Sequence, residues 1–360
     1  MHVIDVTEGD PAERFDQIDR FAERWPEAET VNLAVYDYDG EALDEFTSHN
    51  VDDCLRFKHS RRISWINIDG LRKSEVERVC THFGVHPLLV EDILSVDQRP
   101  KMDEVEGILF CILNMLYFND LTATVETEQI SIVLGKDFVL SFQEDASRDV
   151  FDPLRNKLRI PTSQIRMRTA DYLCYGMLDM IVDNYFVVME KLGEQIEFVE
   201  EEVIRRSNTR SLARINQLRK ELIVLKRNIG PVRDLLNNII RSESDLLEDR
   251  TTKYFKDVYD HINQANDLTE NYRDIMVSLQ DLYINNVNLK MNEVMKVMAV
   301  VTCLMAPATV AGYAEYPPKS GKYWAIPLEG DANGWAYRKD WFEDPKEKAA
   351  FKKKYGYDLG

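Results

Sequence analysis

A chain of 360 residues with 44% hydrophobic and 30% charged side chains is long enough for two or three domains and too rich in core-forming residues for disorder. Its formal net charge of -18, from 63 acidic against 45 basic residues, repels phosphate backbones and attracts cations, so nucleic acid is not an expected partner. The N-terminal MHVIDVTEGDPAERF has no basic stretch and no apolar run, so no secretory leader is expected. Five scattered cysteines (Cys54, Cys80, Cys111, Cys174, Cys303) lack zinc-site spacing and read as reduced thiols in a cytosolic setting.

The first 165 residues mix short strand-like and helix-like runs. SWINIDG (64–70) alternates apolar and polar residues as a half-buried strand does, and KSEVERVCTHFGV (73–85) places Val76, Val79, Cys80 and Phe83 on one helical stripe. ILFCILNMLYF (108–118), TEQISIVLG (127–135) and DFVLSFQE (137–144) are rich in branched and aromatic residues, with Gly135, Lys136 and Asp137 as a tight turn between the last two. An α/β domain with an antiparallel sheet is expected over 1–165.

Beyond about Thr169 the period becomes helical. Residues 170–206 form one long pattern, Ser207 and Asn208 break it, and a second begins at Ser211, which predicts an antiparallel helical pair within 166–250. Gly230 and Pro231 interrupt the second pattern, where proline can kink a helix without ending it. Val232 to Ala306 contains neither Gly nor Pro and reads as one continuous helical run. Within it Phe255, Val258, Ile262, Ala265, Tyr272, Ile275, Leu279 and Leu282 recur mainly at spacings of three and four, a seam for another helix. A very long stalk helix over 251–296 is expected to rise into 297–314, which carries no charge for about 18 residues, the lower limit for a bilayer span. The fold class is thus α+β: an N-terminal α/β domain, long antiparallel helices, and a stalk running into a marginal membrane span.

HPLLVEDILSVDQRPKMDEVEG (86–107), DYLCYGMLDMIVDNYF (171–186), YFKDVYDH (254–261) and NEVMKV (292–297) together resemble the CorA family of magnesium and cobalt transport proteins, over roughly residues 70 to 312. The resemblance implies a homopentamer in the inner or plasma membrane, a large cytoplasmic domain, two spans and a pore on the five-fold axis, moving Mg2+ and also Co2+. It implies regulatory Mg2+ held between subunits by Glu91, Asp92 and Asp257, with Asp179 as a further ligand. Mg2+ keeps several waters and takes one or two carboxylates, which suits this set; on spacing alone, Glu91 and Asp92 read as solvated helix residues. Asp281, Asn292, Met295 and Thr309 match pore-lining positions, Met295 as part of a hydrophobic constriction; without the resemblance Met295 would be helix-seam core. A second family methionine, just before Pro307, is replaced by Ala306.

Other features carry less. EFVEEEV (197–203) reads as a solvated helix face, and His86 and His261 lack the mutual spacing of a transition-metal site. No nucleophile with an adjacent base and no phosphate loop stands out, so no enzyme and no catalytic residue is expected.

The departures lie in 315–360. The family's G-M-N loop is absent, and a second span across GKYWAIPLEGDANGWAYRKDWFEDPKEKAAF would bury Glu329, Asp331, Arg338, Lys339 and Asp340, at roughly a few kcal/mol each. Two readings therefore stand: a CorA-like Mg2+ channel or transporter subunit gated by cytoplasmic Mg2+, or a soluble, transport-dead derivative that is an oligomeric Mg2+-sensing domain. The loop that would set ion preference is the part that is rewritten.

Overall fold

The computed structural model describes residues 28, 30–95, 98–145, 148–314 and 345–355. The chain forms two compact units, Met1–Leu282 and Tyr283–Gly360.

In the first unit, strands β1 (Asn32–Tyr38), β2 (Leu43–Ser48), β3 (Ile63–Asp69), β4 (Lys101–Val105), β5 (Ile108–Asn119), β6 (Thr124–Leu134) and β7 (Phe138–Gln143) form one sheet in the order β2-β1-β3-β7-β6-β5-β4. Five of its six pairings are antiparallel, as the sequence predicts, and β3 pairs with β7 in parallel, from Ser64 opposite Phe138 to Asp69 opposite Gln143. The mixed sheet follows from connectivity. Two helices and three strands separate β3 from β7, so the chain can return to the same end of the sheet, which a short hairpin cannot do. The predicted turn at 135–137 does join β6 to β7.

Helices α1 (Lys73–Phe83) and α2 (Pro87–Leu94) cover one face of the sheet. Val76, Val79, Cys80 and Phe83, the predicted stripe, pack with Leu33, Ile66, Phe110, Val133 and Leu140 in one buried cluster. Pro87 opens α2 at its first turn, and His86 Nδ1 accepts from Leu88 N at 3.3 Å, so His86 is a helix cap. The other face of β3 departs from expectation, because its polar residues are buried too. Trp65 Nε1 donates to Ser141 Oγ (2.9 Å), Ser141 Oγ to Asn67 Oδ1 (2.6 Å), and Asn67 Nδ2 to Asp69 Oδ1 (2.8 Å). Phe151 meets Trp65 edge-on, and Arg155 of helix α3 (Asp152–Arg159) lies over its ring, so the polar side of the alternation is covered and not wet.

Helix α4 (Ala170–Arg206) has the bounds the sequence predicts and buries Leu173, Cys174, Met177, Leu178, Ile181 and Tyr185. Tyr185 Oη donates to the Asn114 carbonyl at 2.6 Å, fixing α4 to β5. Each large side chain so buried contributes about 1.5–3 kcal/mol. Helix α5 (Thr209–Arg241) runs on through Pro231, although proline in a helix interior costs about 3 kcal/mol and glycine about 1 kcal/mol relative to alanine.

The run from Val232 is not one helix. It stops at Arg241, and α6 (Asp249–Ala314) starts eight residues on. Between them Ser242 Oγ accepts from Ser244 N, Ser244 Oγ from Leu246 N, and Asp171 Oδ2 from Glu248 N at 2.8 Å. Serine and aspartate oxygens thus offer the backbone partners that compete with helical ones, without any Gly or Pro. Along α6, Phe255, Val258, Ile262, Ala265 and Leu279 of the expected seam are buried, while Ile275 is exposed and Met276 takes the inward position. Helix α7 (Pro345–Tyr355) belongs to the second unit.

Candidate metal centre

The sequence DMIVD sets Asp179 and Asp183 one turn apart on α4, where residues four apart share a face. His261 of α6 completes a group: one ligand atom from each of the three residues lies within 4.8 Å of the others. Asp179 is half-buried and Asp183 exposed. Burial and then the charge of Asp183 raise the Asp179 carboxyl above its usual range, opposed by a hydrogen bond from Tyr175 Oη to Asp179 Oδ2 at 3.3 Å and by His261. His261 Nδ1 is shielded from solvent, has no hydrogen-bond partner, and lies 4.0 Å from Asp183 Oδ1. Phe186 stands edge-on to its imidazole.

The floor of this site is aromatic. Tyr172, Tyr175 and Tyr254 have ring centroids 5.2 Å apart in all three pairings, and Phe255 meets Tyr175 edge-on. These rings pack the facing turns of α4 and α6 together beside the half-buried Asp179, so the like charge one turn away on Asp183 disfavours its ionised form and a cation between them offsets that repulsion. Two carboxylates suit a hydrated Mg2+. Adding the imidazole suits Co2+ better, because nitrogen is a good ligand for that ion and a poor one for Mg2+.

The structure brings together some of the expected ligands. Asp179 lies in the group itself. Asp257 is exposed on α6, one turn before His261, and its charge reaches Tyr175. Glu91 and Asp92 sit on α2, outside the three-residue group; Glu91 is exposed, and Asp92 accepts from Lys101 Nζ at 2.7 Å, with Asp103 on the same lysine at 3.1 Å. Sequence reasoning passed over Asp183 and discounted His261. The i,i+4 acidic pair in DMIVD was the available signal for the first. For the second, comparison with His86 was the wrong test, since His86 caps α2 and the partners of His261 come from α4.

Of the expected pore positions, Asp281, Asn292 and Met295 are exposed on α6, and the side chain of Thr309 lies outside the described residues. No helix among the described residues is long and apolar enough to cross a membrane.

Residues 60–313 match the family model described as CorA-like Mg2+ transporter protein. The cobalt/magnesium transport protein CorA of Thermotoga maritima is 40% identical over 306 residues, 83% of this chain and 87% of that protein. A putative metal ion transporter of Bacillus subtilis, YfjQ, is 30% identical over 69% of this chain and 76% of its own length. Among solved structures, the complete CorA magnesium transporter of Methanocaldococcus jannaschii shares the fold with a TM-score of 0.62 at 20% identity, covering 78% of this chain and 86% of that one. The full-length CmaX protein does so with a TM-score of 0.65 at 15% identity, covering 84% and 91%.

Proposed function

The chain belongs to the CorA-like Mg2+ transporter family, and on that premise we propose that it is a subunit of a divalent-cation transport protein that carries Mg2+, and also Co2+, across a membrane. Members of this family are transporters and not enzymes. The observation that carries the reading is the facing of Asp179, Asp183 and His261 across α4 and α6, a cation-sized group in a chain of net charge -18.

The proposed working form is a homopentamer whose first 250 residues and stalk (251–296) lie in the cytoplasm. Regulatory Mg2+ sits at Glu91 and Asp92 of one subunit and Asp257 of its neighbour, with Asp179 as a further ligand; the Asp183 and His261 side chains extend that acidic face. Bound cations offset carboxylate repulsion between subunits and hold the pore shut, and their loss loosens the ring. Asp281, Asn292, Met295 and Thr309 line the path along α6, and 297–314 is the marginal remnant of the first span.

The test is uptake of Mg2+ by liposomes carrying the protein, together with its mass in detergent with and without Mg2+. A pentamer that fills liposomes is the expected result; a protein that stays in the aqueous phase without detergent and moves no ion would overturn it. Asp179→Asn, Asp183→Asn, Asp92→Ala and Asp257→Ala are each expected to weaken Mg2+-dependent protection from protease, by about 10-fold or more for a direct ligand. His261→Ala should weaken Co2+ binding more than Mg2+ binding.

One observation favours a second reading. Residues 315–344 place Glu329, Asp331, Arg338, Lys339 and Asp340 where the family has its second span, so the alternative is an oligomeric Mg2+-sensing domain without a working pore. Mg2+-dependent protease protection in the absence of flux would select it.

A further inference from the structure

Helix α5 carries Gly230 and Pro231 side by side in its interior, the two residue types a helix tolerates least, and cation transport as proposed uses neither. Beside them lies a cleft of about 630 Å3, bounded by α5, by Asn114 of β5, and by the segment that enters β4. Gly230 borders open space, since a Cβ there would meet no atom within 4 Å.

The walls are cationic. Arg99, Lys226, Arg227 and Arg233 line the cleft against a single carboxylate, Asp234, in a chain whose net charge is -18. The arginines are held less tightly than the lysine. Arg99 and Arg233 reach Asp234 at 3.6 and 3.2 Å, Lys226 reaches Glu270 at 2.6 Å, and Arg227 enters no ion pair among the described residues. The floor, by contrast, is fixed: the buried Asn228 accepts from Asn114 Nδ2 at 2.7 Å and donates to the Val224 carbonyl at 2.9 Å. Gln129 pins the entering segment, accepting from Gln98 N at 3.2 Å and donating to the Ser95 carbonyl at 2.8 Å. A hydrogen-bonded amide floor under these guanidinium groups is a preformed site whose ligand supplies negative charge.

We infer that this cleft binds a soluble anion carrying several phosphate groups, of the size of a nucleoside polyphosphate. Four cations against Asp234 and the Glu270 carboxylate paired with Lys226 leave two positive charges, more than a singly charged anion neutralises. Guanidinium forks match phosphate oxygens two at a time, and the lysine adds a point charge. A volume of about 630 Å3 falls within the usual range for small-molecule sites, and the asparagines give it a neutral polar floor. The inference does not depend on whether the chain transports cations.

The experiment is calorimetric titration of the full-length chain with tripolyphosphate, ATP, AMP and inorganic phosphate at constant ionic strength without Mg2+, with phosphatidylglycerol vesicles as a separate arm. Tripolyphosphate and ATP are expected to bind at least 10-fold more tightly than AMP or phosphate. Combining Arg99→Gln with Arg227→Gln should weaken them 10-fold or more without lowering the melting temperature. Gly230→Met, which fills the cleft and removes a helix glycine, should abolish binding while the protein still melts cooperatively. Absence of binding, equal affinity for all four anions, binding that survives both variants, or capture by the vesicles alone would each overturn the inference.

Discussion

Along α6, the stretch from Phe255 to Leu279 and the stretch from Val287 to Val301 use similar apolar side chains to opposite ends. In the first, Phe255, Val258, Ile262 and Ala265 are fully buried, and the residues between them are charged or polar. The second exposes Val287, Leu289, Met291, Val294, Met295, Val297, Met298, Val300 and Val301, with 62% of Val294 and of Val297 open. A single stripe needs one partner surface, which α4 and α5 of the same chain supply. Apolar residues at ten of fifteen positions need more cover than one stripe does, and a soluble monomer rarely leaves so large an apolar surface bare. One half of the helix is thus covered by its own chain, and the described residues leave the other half bare.

The largest expected effect tests that division directly. Phe255→Ala opens a cavity in a closed core and should cost about 3–5 kcal/mol, read as a lower denaturation midpoint. Met295→Ala removes a side chain 52% exposed in the single chain and should change that midpoint by no more than about 0.5 kcal/mol, while altering oligomer mass or ion flux. Equal destabilisation by the two variants would erase the distinction.

Much of the closed region was legible because its pattern is local. The stripe on α1, the bounds of α4, the 135–137 turn and the passage of α5 through Pro231 depend on periodicity and on turn and breaker residues a few positions apart. What escaped depends on distant partners. Alternation along β3 shows which face is apolar, but nothing in SWINIDG says that Phe151 and Arg155 will cover the other. The break before α6 is stabilised by Asp171, 77 residues from the Glu248 amide it accepts from. His261 joins the metal group only because α4 lies against α6. The exposed half of α6 offers periodicity no single stripe to report, and the described residues of this chain leave it uncovered.

A sharper test of closure uses the buried polar chain under β3. Burial, and then the charge of Asp149, push the Asp69 carboxyl from 3.8 to about 6, and no cation is paired with it among the described residues. A raised folded-state value means that the folded protein holds its proton where the unfolded chain has lost it. The associated stability is therefore full below pH 3.8, fades as pH rises towards 6, and above that the ionised group costs up to about 3 kcal/mol. Asp69→Asn stays neutral and still accepts from Asn67 Nδ2. The variant should be more stable than the parent by about 1–3 kcal/mol at pH 8 and no more stable at pH 4. A difference that does not vary with pH would remove this account.

The smallest effect turns on one close approach. A Cβ at Gly193 of α4 would stand 2.6 Å from Tyr272 Oη and 3.3 Å from its Cζ, so α4 and α6 meet there without a side chain between them. Gly193→Ala alone combines two opposed changes: a helix-interior glycine costs about 1 kcal/mol relative to alanine, and the clash costs a similar amount unless Tyr272 swings outward. The net change in melting should be close to zero. Tyr272→Phe deletes the colliding atom, so Gly193→Ala in that background should stabilise by about 0.5–1 kcal/mol, and the cycle should return a coupling of that size. Simple additivity would mean that Tyr272 moves freely, and that the lower half of α6 is held by its buried stripe alone, with no help from its contact at Gly193.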